Sequence, residues 1–156
     1  MNLSVSCTQI VVNATMHVYK EAITNFLPTP TKSHYVFNLR DFSRVIRGIL
    51  LVPSTHLQDT DKLIRLWVHE VYRVFYDRLV DDPDRRFFFD LIKDACKKQF
   101  NKDMGSLMQH LSGSGGKLCD DDIRSLFFGD YMTPDSPEKI YDEVQGVESL
   151  TKQMER

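Results

Sequence analysis

The stretch "HYVFNLRDFSRVIRGIL", residues 34–50, contains the pattern that decides the fold. From Leu39 onward its apolar residues recur at steps of three and four, the spacing that places them on one face of an α-helix. The residues on that face are Leu39, Phe42, Val45, Ile46 and Ile49. The pattern predicts a helix from Leu39 to Leu50, closed by Pro53, whose ring cannot continue a helix.

Arg40 stands in the first turn of this helix, where the positive end of the helix dipole disfavours a cation by about 0.3–1 kcal/mol. Asn38 is a good N-cap that can accept a hydrogen bond from the amide of Asp41, and the Asp41 carboxylate can reach back to close a capping box. The first amides of a helix lack intrahelical partners. An anion would therefore meet amide donors and a guanidinium together, and phosphate is the partner that would make Arg40 favourable there.

Arg44 and Arg47 continue the stripe from Arg40 at steps of four and three, on the side opposite the apolar face. A solvated basic face, with Arg44 paired to Asp41, explains this spacing without any ligand. On spacing alone that explanation is the default. The anion site is the alternative, and it is stronger for Arg40 than for Arg44 or Arg47.

Three more helical patterns surround this one. They predict helices over 3–27, 62–80 and 84–100. Thr60 or Asp61 would cap the third helix of the chain, and Asp82 would cap the fourth, with Pro83 at its first position. Trp67 lies on the apolar stripe of the third helix and is interpreted as a core residue.

The C-terminal third changes character. Residues 101–122 are rich in Gly, Ser and charge and predict a flexible loop. "IRSLFFGDY", from Ile123, could be one strand or a helical turn. Ser136 and Pro137 would begin a last helix. The expected fold is all-α, a four- to five-helix bundle with at most one short strand. It divides into a helical core over 1–100, the loop, and a closing segment over 123–156.

Composition excludes several functional classes. The chain has 156 residues, 42% of them hydrophobic, and a net charge of −2, which disfavours bulk electrostatic binding to nucleic acid or an anionic membrane. The three cysteines are far apart, so they suggest neither a disulfide framework nor a metal site. Gly116-Lys117 does not complete a P-loop motif, because Leu118 stands where Ser or Thr is required. His69 lacks the second histidine of a zinc-protease helix, because Arg73 stands there.

Two stretches resemble a known family. "LPTPTKSHYVFNLRDFSRVIRGILLV" (27–52) resembles the small helical lid of an AAA+ module in dynein heavy chains, and "LFFGDYMTPDSPEKIYDEV" (126–144) is similar to the end of the same lid. The "FNLRDFSRV" wording looks most like the third of the six modules in the axonemal branch. The resemblance covers nearly the whole chain and is weakest over 101–122.

The resemblance implies a role for Arg40. In AAA+ lids an arginine at the start of a lid helix, called sensor 2, reaches nucleotide phosphates held by the larger α/β subdomain. Asn38, Leu39 and Asp41 match the setting of that arginine and would shape the helix N-terminus around it. Arg44 is a possible secondary contact, or it structures the lid.

The resemblance also implies what lies outside this chain. With no Walker A loop here, the chain would be a piece of a much longer one, monomeric, without ATPase activity or a cofactor of its own. The parent would be an ATP-hydrolysing microtubule motor of the ciliary or flagellar axoneme, a cytoskeletal, cytoplasmic location, with ATP or ADP and Mg in its module. The partners would be the large subdomain, the following module and, through the parent, microtubules, with no nucleic acid and no membrane.

Lid rotation would relay the nucleotide state round the ring of modules. The main alternative is an autonomous helical protein-interaction domain with no nucleotide role, which a P-loop upstream in the flanking sequence would rule out. A nucleic-acid-binding domain that uses the Arg40, Arg44 and Arg47 stripe is a further alternative, disfavoured by the acidic net charge.

Overall fold

The computed structural model describes residues 3–112, 118–132 and 135–155. Within these ranges the chain forms seven α-helices, two 3₁₀ segments and two short strands. The α-helices are α1 (Leu3–Asn25), α2 (Leu39–Ile49), α3 (Thr60–Val74), α4 (Asp82–Gln99), α5 (Met104–Leu107), α6 (Asp120–Arg124) and α7 (Val147–Met154). The 3₁₀ segments are Ser54–His56 and Tyr76–Arg78, and the strands are β1 (Phe128–Gly129) and β2 (Asp142–Glu143). The all-α prediction is confirmed.

The first four helices form the bundle. α1 packs on α4 and α2, and α2 packs on α3. α1 turns small and branched residues inward at helical spacing: Val11, Ala14, Val18 and Ala22 are all buried. One continuous apolar core joins these helices to α5, α6 and β1. Because cores of this kind are close-packed, the bundle behaves mechanically as one body.

Trp67 of α3 is fully buried, and its Nε1 donates a hydrogen bond to the Thr15 hydroxyl of α1 over 2.9 Å. The Thr15 hydroxyl in turn donates to the Val11 carbonyl at 2.7 Å. The prediction that Trp67 is a core residue is confirmed. The polar end of the indole is satisfied inside the bundle, as a buried indole N–H requires.

Gly48 of α2 lies directly against the Glu70 side chain of α3. A β-carbon at Gly48 would lie 2.0 Å from Glu70 Oε2. Glu70 is itself buried and accepts hydrogen bonds from Tyr141 at 2.8 Å and from His69 at 3.3 Å. Glycine is therefore needed at position 48 because the buried carboxylate occupies the space that a side chain would fill.

Two helix starts differ from the sequence prediction. The N-cap of α3 is Asp59, whose carboxylate accepts from the Asp61 amide at 3.1 Å, instead of Thr60 or Asp61. The N-cap of α4 is Asp81, one residue before the predicted Asp82. Several Asp or Thr residues precede each helix, and local propensity cannot choose among neighbours that all suit a cap.

The third helix also ends earlier than predicted. α3 stops at Val74, and a 3₁₀ segment follows at Tyr76–Arg78, so the helix does not reach Val80. The apolar spacing continues through this change because Phe75, Tyr76 and Leu79 are all buried. Side-chain periodicity alone therefore did not reveal the break.

Part of the expected loop over 101–122 is ordered against the core. α5 spans Met104–Leu107, and the Asp103 carboxylate caps it by accepting from the Ser106 amide at 3.3 Å. Met104, Leu107 and Met108 are buried. At these positions the chain departs from the loop prediction because a few apolar side chains gain contacts with the bundle. Gly116 and Lys117 lie outside the described residues.

The predicted start of the last helix is wrong. Ser136 and Pro137 precede strand β2, which pairs antiparallel with β1 in the register Phe128↔Glu143 and Gly129↔Asp142. The described chain thus has two short strands where at most one was expected, and the last helix, α7, begins only at Val147. Tertiary pairing overrides the helix-start signal, because the side chain of Glu143 is held by Arg65 of α3 over 3.0 Å.

Candidate phosphate-facing site at the start of the second helix

The segment before α2 is held by aromatic side chains that plug into the bundle. Phe26, Tyr35 and Phe37 are buried, and the ring of Phe26 lies 6.0 Å from each of the other two. The Tyr35 hydroxyl donates to Asp84 at 2.9 Å, which ties the segment to α4. The N-terminus of α2 therefore leaves the bundle from a fixed point.

Lys32 adds an ionic tie to the same end of α4. Its ammonium contacts Asp81 and lies 2.6 Å from Asp84 Oδ2. Hydrogen bonds to these two carboxylates raise the pKa of Lys32 above its ordinary value. The lysine is therefore charged throughout the neutral range, and the tie persists there.

The predicted capping residues of α2 lie where the sequence places them. The Asn38 side chain accepts from the Arg40 amide at 2.9 Å, and the Asp41 carboxylate accepts from the Asn38 amide at 2.9 Å, so a capping box is present. The box uses first-turn amides that the sequence analysis had offered to an anion. The exposed guanidinium of Arg40 then remains as a hydrogen-bond donor that this turn offers at the surface.

Asp41 is the buried charge of the site. Its side chain is only 5% exposed and lies 3.3 Å from Arg78 Nη1 and 3.5 Å from Arg44 Nη1. A buried carboxylate is costly unless it is paired and hydrogen-bonded. Both conditions are met here, because the carboxylate also accepts the Asn38 amide.

Arg78 is a residue of this site that the sequence analysis missed. Its Nη2 donates to the carbonyls of His34 at 2.8 Å and Val36 at 2.9 Å. Its guanidinium carbon lies 4.5 Å from the centroid of the Phe37 ring. No local motif marks Arg78, which belongs to the 3₁₀ segment after α3 and reaches a segment some 42 positions earlier in the chain.

Arg40 itself is exposed at the surface. Within the described part of the chain, its guanidinium has no ion-pair partner and its side chain makes no hydrogen bond. Arg44 is 68% exposed and pairs with Asp41, the pairing that the spacing favoured. Arg47 is also exposed. The three arginines therefore differ, since Arg44 is tied to a carboxylate and Arg40 is not.

Exposed apolar side chains accompany Arg40 on this surface. Leu39 is 64% exposed, and Val36 and Val80 are 55% and 49% exposed. Val80 lies beside the segment because its amide donates to the Tyr35 hydroxyl at 3.0 Å. Apolar residues grouped with a cation at the surface are typical of a contact with another protein surface.

The exposed guanidinium of Arg40 has the charge and the donors that an anion would need, so the anion site stays a prediction. Among residues 3–112, 118–132 and 135–155, no three His, Cys, Asp or Glu side chains are grouped as a metal site would require. His69 and Glu70, from the near-match to a zinc-protease motif, are buried: His69 accepts from the Phe128 amide and Glu70 from the Tyr141 hydroxyl. No helix in the described ranges has the length and apolar character to cross a bilayer.

Several known proteins are similar to this chain over most of its length. A family model described as the AAA+ lid domain matches residues 11–110. The chain is 59% identical over 147 residues, or 94% of its length, to dynein axonemal heavy chain 3 of Mus musculus. It is 49% identical over 139 residues to dynein axonemal heavy chain 12 of Homo sapiens, and 39% identical over 138 residues to dynein axonemal heavy chain 1 of Rattus norvegicus, 88% of this chain in both cases.

These relatives are far longer than this chain. The matched part is 4% of each of the first two relatives and 3% of the third. The matched region includes the whole candidate site, because the family model covers the segment before α2, the capping box and Arg78.

Proposed function

The chain belongs to the AAA+ lid domain family, and from that membership we propose that it is the lid of an AAA+ module in an axonemal dynein heavy chain. Identity of 59% over 94% of the chain to such a heavy chain supports this assignment. The parent would be an ATP-driven microtubule motor of the cilium or flagellum. This chain would have no ATPase activity alone, because no Walker A pattern occurs in it.

Within that module, Arg40 would contact the phosphates of ATP or ADP. The observation that supports this role most directly is the exposed guanidinium of Arg40, which has no carboxylate partner among the described residues. Its neighbours fit a phosphate as well, because Asp41, the nearest acid, is buried and already paired with Arg78 and Arg44. The adjacent carboxylate is thereby already occupied and would compete less with a phosphate for the Arg40 guanidinium.

The partners follow from the same geometry. The large α/β subdomain of the module would supply the nucleotide-binding loop and hold Mg²⁺. Its surface would cover Arg40 together with the exposed apolar residues Val36, Leu39 and Val80. The following module of the ring would contact the lid elsewhere, and microtubules would be reached only through the parent.

Lid movement would carry information about the nucleotide. A guanidinium binds a triphosphate more strongly than a diphosphate, so hydrolysis would change the orientation that the lid prefers. The four long helices share one core and would turn as a rigid body, passing the change to the next module.

The alternative of an autonomous protein-interaction domain receives less support. The matching family model is that of a lid domain, and the similar sequence in the mouse relative is 4% of a much longer chain. The exposed apolar residues beside Arg40 suit contact with another part of that chain.

Arg40→Ala in the full heavy chain tests the proposed role. We expect ADP affinity at this module to fall about 10- to 100-fold, because a charge-assisted hydrogen bond to phosphate is worth about 1.5–3 kcal/mol. Photo-cross-linking with 8-azido-ADP and mapping of the labelled peptides would separate this nucleotide site from others in the chain. The lid itself should keep its stability, since Arg40 is exposed.

Arg47→Ala is the matched control. Arg47 is exposed on the same stripe, about two turns further from the helix N-terminus. If Arg47→Ala weakened labelling as much as Arg40→Ala, a diffuse basic face would explain the effect. If Arg40→Ala left the affinity unchanged, the proposed phosphate contact would be wrong.

A further inference from the structure

We propose that Arg78 is a positioning residue for Arg40, and that it acts by fixing the first turn of α2 against the end of α3. The inference rests on the proposed function, because it names the residue that orients the phosphate-contacting arginine. Arg78 would touch neither the nucleotide nor the large subdomain's catalytic groups. It would act through Asp41 and the backbone of residues 34–37.

Arg78 contacts the backbone before α2, the ring of Phe37 and the Asp41 carboxylate. Its Nη2 bridges the carbonyls of His34 and Val36 at 2.8 and 2.9 Å, and its Nη1 lies 3.3 Å from the Asp41 carboxylate. The flat face of the guanidinium lies over Phe37 at 4.5 Å. One side chain thus contacts the backbone before the N-cap, the buried ring of Phe37, and the carboxylate that completes the capping box.

A reciprocal hydrogen bond locks the same two segments together. The imidazole Nε2 of His34 lies 3.0 Å from the backbone carbonyl of Arg78. The segment is therefore tied to the 3₁₀ turn through both the side chain and the backbone of Arg78. Such a closed arrangement restricts rotation of the segment more than a single ion pair would.

Burial makes the ion pair with Asp41 consequential. The Asp41 side chain is 5% exposed and that of Arg78 is 29% exposed, whereas Arg44, the other partner of Asp41, is 68% exposed. Exposed pairs contribute little and exchange readily with water. Arg78 is thus the main counter-charge of Asp41, and Asp41, the residue that follows Arg40, closes the cap.

Loss of Arg78 would affect phosphate binding in two ways. The first turn of α2 would be held less firmly against the 3₁₀ segment, because the ties from Arg78 to His34, Val36 and Asp41 would be lost. An arginine displaced by about 1 Å binds its ligand less well. The Asp41 carboxylate would also lose its main counter-charge, and it would then compete with the phosphate for the Arg40 guanidinium.

Arg73 provides a closely matched control. It lies in α3 one turn before the 3₁₀ segment, pairs with Asp77 at 3.1 Å, and lies over the ring of Phe127 at 5.8 Å. Its side chain is 35% exposed, close to the 29% of Arg78. Arg73→Met therefore removes the same kinds of contact, a carboxylate and an aromatic face, at a place that does not touch the segment before α2.

The experiment uses the full heavy chain with 8-azido-ADP as the probe. We expect Arg78→Met to weaken labelling of this module about tenfold and Arg73→Met to leave it unchanged, a difference within the range of coupling in one hydrogen-bonded network. The decisive readout is a double-mutant cycle. In the Arg40→Ala background, Arg78→Met should produce no further loss, because Arg78 acts only through Arg40.

Three results would overturn the inference. Equal labelling of Arg78→Met and the unsubstituted chain, with Arg40→Ala still weakened, would reject Arg78 while leaving the role of Arg40 intact. A further loss in the double variant would show that Arg78 acts independently of Arg40. An unchanged Arg40→Ala would reject the proposed function, and the inference with it.

Hydrogen exchange of peptides from α3 shows whether the bundle has stayed folded. Should Arg78→Met loosen the whole bundle, Arg78→Lys takes its place in the cycle, since lysine keeps the charge beside Asp41 but cannot bridge two carbonyls and an acid in one plane. The expected loss is then about threefold and again absent in the Arg40→Ala background. Full labelling of a folded Arg78→Lys would contradict the inference.

Discussion

Asp41 connects the stability of the bundle with the geometry of the candidate site. It accepts the Asn38 amide at 2.9 Å, lies beside Arg78 at 3.3 Å, and has a side chain that is 5% exposed. A buried acid of this kind stabilises only while all its partners are present. Arg40, by contrast, is exposed and contributes little to folding.

Asp41→Asn should therefore destabilise the chain by about 1–3 kcal/mol, because Arg78 would keep a partly buried charge without its counter-ion. Urea unfolding followed by circular dichroism measures the change. Asp77→Asn is the control, since Asp77 is 40% exposed and pairs with Arg73 at the surface. It should cost no more than about 1 kcal/mol. Similar losses for both variants would show that burial of Asp41 is not what matters.

At the residue scale, local chemistry predicted the capping box of the candidate site but not Arg78. Asn38 and Asp41 are three positions apart, and their capping box follows from that spacing. Arg78 could not be found in this way. Its partners Val36 and His34 lie 42 and 44 positions away in the sequence, and only the packing of the bundle brings them together.

At the scale of the packed helices, a buried polar contact joins α1 and α3. In this contact Trp67 Nε1 donates a hydrogen bond to the Thr15 hydroxyl over 2.9 Å. Both side chains are fully buried. Because the indole N–H is shielded from water, it needs the Thr15 hydroxyl as its acceptor. This requirement specifies how α1 and α3 align.

Thr15→Val should cost about 1–3 kcal/mol of unfolding free energy, because it keeps the shape of the side chain but leaves the Trp67 N–H without an acceptor. Thr24→Val is the matched control. Thr24 makes the same bond to the carbonyl four residues earlier, at 2.8 Å, but is exposed. We expect its effect to stay within about 0.5 kcal/mol. Thermal unfolding of both variants decides, and equal losses would refute the role of the buried indole contact.

Helical spacing predicted the four long helices because each has an apolar face over three turns or more. The elements it missed are short. α5 has four residues, and each strand has two. Segments of this length carry too few positions for a period to show, and their conformation is set by contacts with the bundle, as with the buried Met104.

At the scale of the whole molecule, the C-terminal segment fastens onto the helical core through charge. Arg65 of α3 donates three hydrogen bonds to the Glu143 carboxylate, at 3.0 to 3.2 Å. Asp142 contacts Lys62 at 2.5 Å and His56 at 3.1 Å. Burial alone would raise the pKa of Asp142, but the bonds from Lys62 and the Glu143 amide prevail and lower it.

This fastening extends the rigid body beyond the four long helices. Val144 is buried beside the strand pair, and Tyr141 reaches the buried Glu70 of α3. The proposed relay of lid rotation requires the C-terminal segment to move with the bundle. The oppositely charged residues that form this fastening lie far apart in the sequence, so the sequence analysis did not predict that they would meet.

Arg40 is proposed to face nucleotide phosphate supplied by another part of the parent chain. A cryo-EM structure of the full heavy chain with ADP or ATP in this module tests it most directly. We expect the Arg40 guanidinium to lie within about 2.7–3.2 Å of a phosphate oxygen, with Asp41 still paired to Arg78. An Arg40 side chain turned to solvent or to a carboxylate, with the nucleotide phosphates beyond hydrogen-bonding reach, would contradict it.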